Sequence, residues 1–234
     1  DAYKSINESL VHGGTENEYH VNIVSLQSEK ISASNVEKKL TGLDGILVAP
    51  GFGGRGIEGK IDAIKFAREN NIPFLGICLG MQCAAIEFSR NVLGLEGAHT
   101  TEIDTDAPYP VIDLMEEQKN ILNLGGSMRL GLYDCHIEKD TLTYKEYQRQ
   151  DIKERHRHRY EFNNDYRTRF EENGMRLAGI NQSKDLVEII ELENHPWFIG
   201  VQFHPEYKST VKEPHPLFTG FIRAAIKHKK QITN

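Results

Sequence analysis

Apolar positions along the chain alternate between two periods. Tyr3, Ile6 and Leu10 share one helical face, and Gly13-Gly14 ends that helix. Val21, Ile23 and Val24 then predict a short strand of β-branched residues in polar surroundings. Gly45-Ile46-Leu47-Val48-Ala49 is a continuous apolar run closed by Pro50-Gly51-Phe52-Gly53-Gly54, as expected of a parallel strand buried on both faces. Ile57, Ile61 and Ile64 return to helical spacing. Pro73-Phe74-Leu75-Gly76-Ile77 predicts another strand, and Met81 to Phe88 the helix after it. Near the C-terminus, the runs Leu186–Leu192 and Trp197–Phe203 predict strands joined through Asn194-His195-Pro196. Phe218, Phe221, Ile222, Ala225 and Ile226 mark a final helix. Strand, turn and helix in repeated order imply an α/β fold, a mostly parallel, flavodoxin-like open sheet flanked by helices, with additional antiparallel strands. Residues 99–175 resist this reading, with many charges, a Gly125-Gly126 break and the run Arg155-His156-Arg157-His158-Arg159.

The 234 residues fit one domain and show no internal repeat or low-complexity linker. A net charge of -6 gives no reason to expect nucleic acid or an acidic membrane as partner. No apolar run approaches the roughly 20 residues needed to span a bilayer, and the start carries no signal-peptide pattern. Cys78, Cys83 and Cys135 cannot all pair and lack metal-site spacing, so a reducing, cytoplasmic setting is expected. A chain opening on Asp1 suggests a fragment of something longer.

The sharpest chemical feature is Gly76-Ile77-Cys78-Leu79-Gly80, a G-x-C-x-G between a predicted strand and a predicted helix. This is a nucleophile-elbow pattern carrying cysteine. Glycines on either side spare a tight turn its clashes, and the following helix N-terminus is expected to lower the Cys78 pKa. The Leu79 N–H is positioned to meet an oxyanion. A buried structural cysteine is the competing reading, and Cys83 and Cys135 are assigned to packing. Phe203-His204-Pro205-Glu206 follows another predicted strand. Residues two apart in extended chain point the same way, so His204 and Glu206 can pair as base and orienter. The loop Pro50 to Gly56 fits either a phosphate cradle or a second oxyanion donor, and spacing alone does not choose.

Together these segments resemble the class I, triad-type glutamine amidotransferases, through Gly76-Ile77-Cys78-Leu79-Gly80-Met81-Gln82 and Phe203-His204-Pro205-Glu206. Further stretches are similar to the C-terminal glutaminase domain of the CTP synthases. They are Asp1–Ser5, Pro50–Gly56, Phe66–Pro73, Gly126–Gly131, Arg155–Glu161 and Asn194–Phe198. The resemblance implies a single glutamine amidotransferase domain over 1–234, without the N-terminal amidoligase (synthetase) domain. It also implies a central strand lying before Asp1. By the same resemblance Cys78 attacks the side-chain amide of L-glutamine, His204 transfers protons and Glu206 orients it. Gly51 and Leu79 supply oxyanion N–H groups, while Gln82, Glu102 and Arg159 hold the substrate. Arg55 is implied as a contact for GTP, the expected activator, and the full enzyme is expected to use ATP and Mg in a homotetramer. No cofactor or metal is expected in this domain, because His156 and His158 alone make a poor metal site. Rival readings are a γ-glutamyl peptide hydrolase and a non-catalytic assembly module.

Overall fold

The computed structural model describes residues 3–114 and 128–232. The Gly125-Gly126 break, Asp1-Ala2 and the start of the 126–131 segment lie outside them. The parallel core is β1 (Ile46–Val48), β2 (Phe74–Ile77) and β10 (Phe198–Val201), with β2 in the middle. From β10 the same seven-stranded sheet continues antiparallel through β9 (Leu186–Leu192), β8 (Met175–Asn181), β5 (Arg129–Ile137) and β6 (Asp151–His158). A three-stranded sheet of β3 (Ala98–Thr100), β4 (Tyr109–Leu114) and β7 (Tyr160–Phe162) lies apart. This is the expected α/β class, with its parallel pairing concentrated where the strand–turn–helix units occur in sequence.

The parallel strands are apolar throughout because both faces are covered. Phe74 and Phe198 point to one side, where α3 (Ile57–Glu69) and α4 (Leu79–Asn91) supply Ile61, Ile64, Met81, Ala84, Ala85 and Phe88. The short α2 (Val36–Leu40) adds Leu40 to the same cluster. Leu75, Ile77, Ile199 and Val201 point to the other side, against Ile6 and Leu10 of α1 (Lys4–Glu16) and Phe218 and Phe221 of the C-terminal helix (Pro216–Ile232). Strand period two thus sorts one run of residues into two cores. α4 differs from the other helices: Leu79 through Ser89 are all buried. No helix among the described residues is long and apolar enough to cross a membrane.

Three departures from expectation have physical causes. Gly13-Gly14 does not end α1, which continues to Glu16; a Cβ at Gly13 would lie 2.7 Å from the Phe218 carbonyl oxygen and one at Gly14 2.5 Å from Val21 Cγ2, so these glycines serve close packing within the helix. The strand expected at Val21, Ile23 and Val24 does not form, and residues 19–27 run irregularly. Val21 and Ile23 rest partly buried on the core, but Val24 is exposed and no neighbouring strand among the described residues pairs with this segment. β-branched residues favour extended backbone, yet a strand requires a ladder partner. The opposite happens at 151–158. β6 alternates strictly, with Asp151, Lys153, Arg155 and Arg157 outside and Ile152, Glu154, His156 and His158 inside. Its inward face is almost wholly polar, so the sequence shows no apolar alternation there.

The start of α4 presses directly on β1. A Cβ on Gly80 would lie 2.2 Å from the Val48 carbonyl oxygen, and one on Gly76 would lie 2.8 Å from the Gly80 backbone. Both obstacles are main chain and cannot rotate away. Gly80→Ala is therefore expected to cost about 2–3 kcal/mol or more of stability, read as a lowered midpoint in denaturant unfolding. An unchanged midpoint would show that the α4–β1 contact relaxes freely.

Candidate active site

Cys78 sits between β2 and α4 with φ 52 and ψ -103, a positive φ that a side-chain-bearing residue rarely adopts. Its backbone is pinned on both sides: the Cys78 N–H donates to Val201 O at 2.7 Å, and Gln82 N–H donates to Cys78 O at 3.1 Å. The residue is 5% exposed. On the neighbouring strand end, His204 Nδ1 and Glu206 Oε1 lie 2.7 Å apart, and both residues are buried. The His204 ring stacks on Tyr207 at 5.0 Å, and the His204 main-chain N–H donates to Arg155 O. With Nδ1 committed to the carboxylate, Nε2 is left without a protein partner, as is Glu206 Oε2. An imidazole held this way offers one free nitrogen for proton transfer.

The thiol pKa runs against the sequence expectation. Burial pushes the Cys78 thiol up to about 12, and the Glu206, Glu161 and Glu102 carboxylates add to the rise, while the Leu79 N–H opposes it. Desolvation of a thiolate outweighs the single turn of helix aimed at it. Cys78 is consequently a neutral thiol near pH 7, and forming its thiolate requires a base.

The other sequence candidates are placed unevenly. Leu79 and Gln82 are buried on the first turn of α4. Gly51 is exposed, with its Cβ position 3.2 Å from Leu79 Cδ2, so the two oxyanion candidates are adjacent. Glu102 is half-buried and its carboxylate accepts from Gly53 N–H at 3.1 Å, tying the glycine loop to the site. Arg159 is exposed at the turn between β6 and β7. Arg55, 88% exposed on its side chain, is ion-paired with Glu29.

Behind this surface lies a buried polar layer that the sequence did not reveal. Arg129 Nη2 lies 2.6 Å from Glu188 Oε1, and Nη1 lies 3.5 Å from Glu161 Oε1. His158 Nδ1 lies 3.2 Å from Glu161 Oε1, and His156 Nδ1 lies 2.8 Å from His158 Nε2. Burial and the Arg129 charge hold both imidazoles neutral, His158 down at about 3 and His156 far below its usual range. Two carboxylates share one guanidinium, so one keeps a proton: burial and Glu188 raise Glu161 well above the carboxylate range, and burial raises Glu188 to about 7. His156, His158 and Glu188 offer ligand atoms within 4.8 Å of one another. With Arg129 already on Glu188, a metal ion there would meet a fixed positive charge, and the set is better satisfied as an ion cluster. Gln202, wholly buried beside Cys78, was also missed. Polar residues inside apolar runs, Glu188 in 186–192 (which also holds Glu191) and Gln202 in 197–203, were the available signal.

The shared proton has a measurable consequence. An unfolded Glu161 ionises near 4.5, whereas the folded one keeps its proton far higher. Stability is therefore present below about pH 4.5 and is lost as pH rises above it. Glu161→Gln, neutral at every pH, is expected to gain melting temperature relative to the parent chain between pH 5 and pH 8. A difference that stays constant with pH would mean that Glu161 is ionised in the fold.

Comparison with known proteins agrees with this geometry. The family model described as "Glutamine amidotransferase class-I" matches residues 1–224. CTP synthase of Christiangramia forsetii is 59% identical over 234 residues, which is 100% of this chain and 43% of that protein. CTP synthase of Clostridium acetobutylicum is 58% identical over 231 residues, 99% of this chain and 43% of that protein. The chain thus spans less than half the length of these curated relatives. Among solved structures, the glutaminase domain of Trypanosoma brucei CTPS with bound acivicin superposes with a TM-score of 0.92 at 36% identity, covering 97% of this chain and 89% of that one. A glutamine amidotransferase from Thermotoga maritima shares the fold, with a TM-score of 0.55 at 14% identity over 92% of this chain and 88% of that one. An elbow cysteine, a buried histidine–carboxylate pair and a family match over nearly all residues converge: the chain belongs to the class I glutamine amidotransferases.

Proposed function

We propose that this chain hydrolyses the side-chain amide of L-glutamine through Cys78 and supplies the ammonia to a synthetase domain that aminates UTP to CTP. The observation that carries the reading is the His204 Nδ1 to Glu206 Oε1 contact of 2.7 Å, which leaves Nε2 without a protein partner at the end of the strand whose Val201 and Gln202 contact the strained, buried Cys78. Because the Cys78 thiol is pushed up to about 12, it is not stored as a thiolate. His204 Nε2 takes the thiol proton as sulfur attacks the amide carbon, and the Glu206 carboxylate stabilises the imidazolium that forms. The carbonyl oxygen, now an oxyanion, accepts from the N–H groups of Leu79 and Gly51. Collapse expels ammonia carrying the proton from His204, leaving a γ-glutamyl thioester. Water then loses a proton to His204 and displaces the thiol, releasing glutamate and restoring Cys78.

Glu102 and Arg159 complete the substrate site in this reading. Glutamine is a zwitterion at its α-carbon, and a carboxylate for the ammonium with a guanidinium for the carboxylate complements it. Gln82, on the first turn of α4, is buried with its Nε2 on the Tyr160 carbonyl and on Gln202 Oε1, one contact behind Cys78. The glycine loop that Glu102 holds through Gly53 N–H also carries Gly51 and Arg55, so closure on glutamine and an effector contact at Arg55 share one segment. For the whole protein we extend the proposal to ATP and Mg in the synthetase reaction, GTP as activator, a homotetramer and a cytoplasmic setting. The three unpaired, buried thiols suit such a reducing compartment.

The test is ammonia release from L-glutamine by the chain, with and without the synthetase portion added in trans. Cys78→Ala is expected to abolish release, and Glu206→Gln to lower kcat/KM about 10²- to 10⁴-fold with the fold intact. Acivicin, the ligand in the trypanosomal structure, is expected to label Cys78 and leave Cys83 untouched. Release that persists in Cys78→Ala would overturn the reading.

A further inference from the structure

We infer that Gln202 is a catalytic residue: its side-chain amide donates a hydrogen bond to Cys78 Sγ and stabilises the sulfur as it becomes anionic. The inference rests on the reading of Cys78 as nucleophile. Its support is a chain of contacts that leaves the amide one orientation. Gln82 Nε2 lies 3.0 Å from the Tyr160 carbonyl oxygen, which can only accept, so the NH2 group of Gln82 points there. The same Nε2 lies 3.2 Å from Gln202 Oε1, so the Gln202 atom facing it must be its carbonyl oxygen. The NH2 group of Gln202 is thereby turned to the opposite side, where Nε2 stands 3.7 Å from Cys78 Sγ. Turning the Gln202 amide over would set NH2 against NH2 in a buried site, at the cost of two hydrogen bonds. Tyr160 on β7 thus fixes, through two glutamines, which atom faces Cys78.

The need for such a donor follows from what surrounds the sulfur. The Glu206 and Glu102 carboxylates act on Cys78 with the wrong sign, and only the Leu79 N–H favours the thiolate from its own helix. Gln202 arrives from the β10 side and is fully buried, so water does not compete for its N–H. It also lies two residues before His204 on the same strand end. The donor to sulfur and the acceptor of its proton are therefore carried by one rigid segment, whose backbone is held by Gln202 N–H to Glu188 O and His204 N–H to Arg155 O. During attack the amide dipole stabilises negative charge on sulfur, and it stabilises the same charge again when the thioester breaks.

The experiment is alkylation of Cys78 by iodoacetamide at pH 8, with rates for Cys78 and Cys83 separated by mass mapping. Gln202→Met keeps the length and removes the donor. Since the rate tracks the thiolate fraction, the variant is expected to alkylate Cys78 about tenfold more slowly. A purely structural role predicts the opposite sign, because loosened packing would expose both thiols and speed both reactions. An unchanged or faster Cys78 rate overturns the inference. The measurement is independent of glutamine turnover, so its failure is separable from failure of the glutaminase reading, which Cys78→Ala decides. A second readout needs no variant: in the parent chain, the Gln202 side-chain amide resonance is expected to shift when Cys78 is alkylated. A resonance that stays in place counts against the contact.

Discussion

Main chain touches main chain where α4 meets β1, and a side chain at position 80 has no space to occupy. That contact sets how sharply the chain turns out of β2. A wider turn would lower Cys78 back toward the strand and let φ relax to an ordinary value. The tight turn instead holds Cys78 at φ 52, while its N–H is bound to Val201 O on β10. One backbone constraint therefore ties together β1, β2 and β10, the strands whose carboxyl ends carry the glycine loop, the cysteine and the histidine. Strain at Cys78 is sustained by burial of Phe74, Leu75 and Ile77 on both sheet faces, a stabilisation of several kcal/mol that the turn cannot escape without unpacking them.

Electrostatics at this centre favour keeping protons in place until substrate arrives. The thiol, Glu161 and Glu188 are all raised by burial, and His156 and His158 are held neutral. A buried layer with one guanidinium and one shared carboxyl proton carries almost no net charge, which is how so many polar groups can lie beneath an active site. Selective attack on an amide also benefits. A resting thiolate would react with any electrophile, whereas a thiol ionised only against a poised imidazole reacts in the geometry that the pocket supplies.

Local chemistry made the site legible early. The glycines around Cys78 record a steric demand within five residues, and the two-residue spacing of His204 and Glu206 records a contact along one strand end. Each survives as a short-range pattern because the residues that need one another are close in sequence. Arg129, Glu161, Glu188 and Gln202 left no such pattern. They are brought together from β5, β7, β9 and the end of β10; Glu188 and Gln202 stand out only as polar residues inside apolar runs, which says they are buried but not what they meet, and Arg129 and Glu161 by themselves look like solvated polar residues.

The amino-acid sequence by itself determined the α/β class, the parallel strands around Phe74–Ile77, the elbow at Cys78 and the family. Apolar period and turn chemistry act between near neighbours, so they are written along the chain. Tertiary structure alone decided that Val21 to Val24 forms no strand, because a ladder needs a partner and none among the described residues pairs with the segment. It decided that 151–158 does form one, because its inward Glu154, His156 and His158 find buried partners. It also decided the proton state of Cys78, since the balance between a helix N-terminus and loss of water depends on how deeply the sulfur is enclosed.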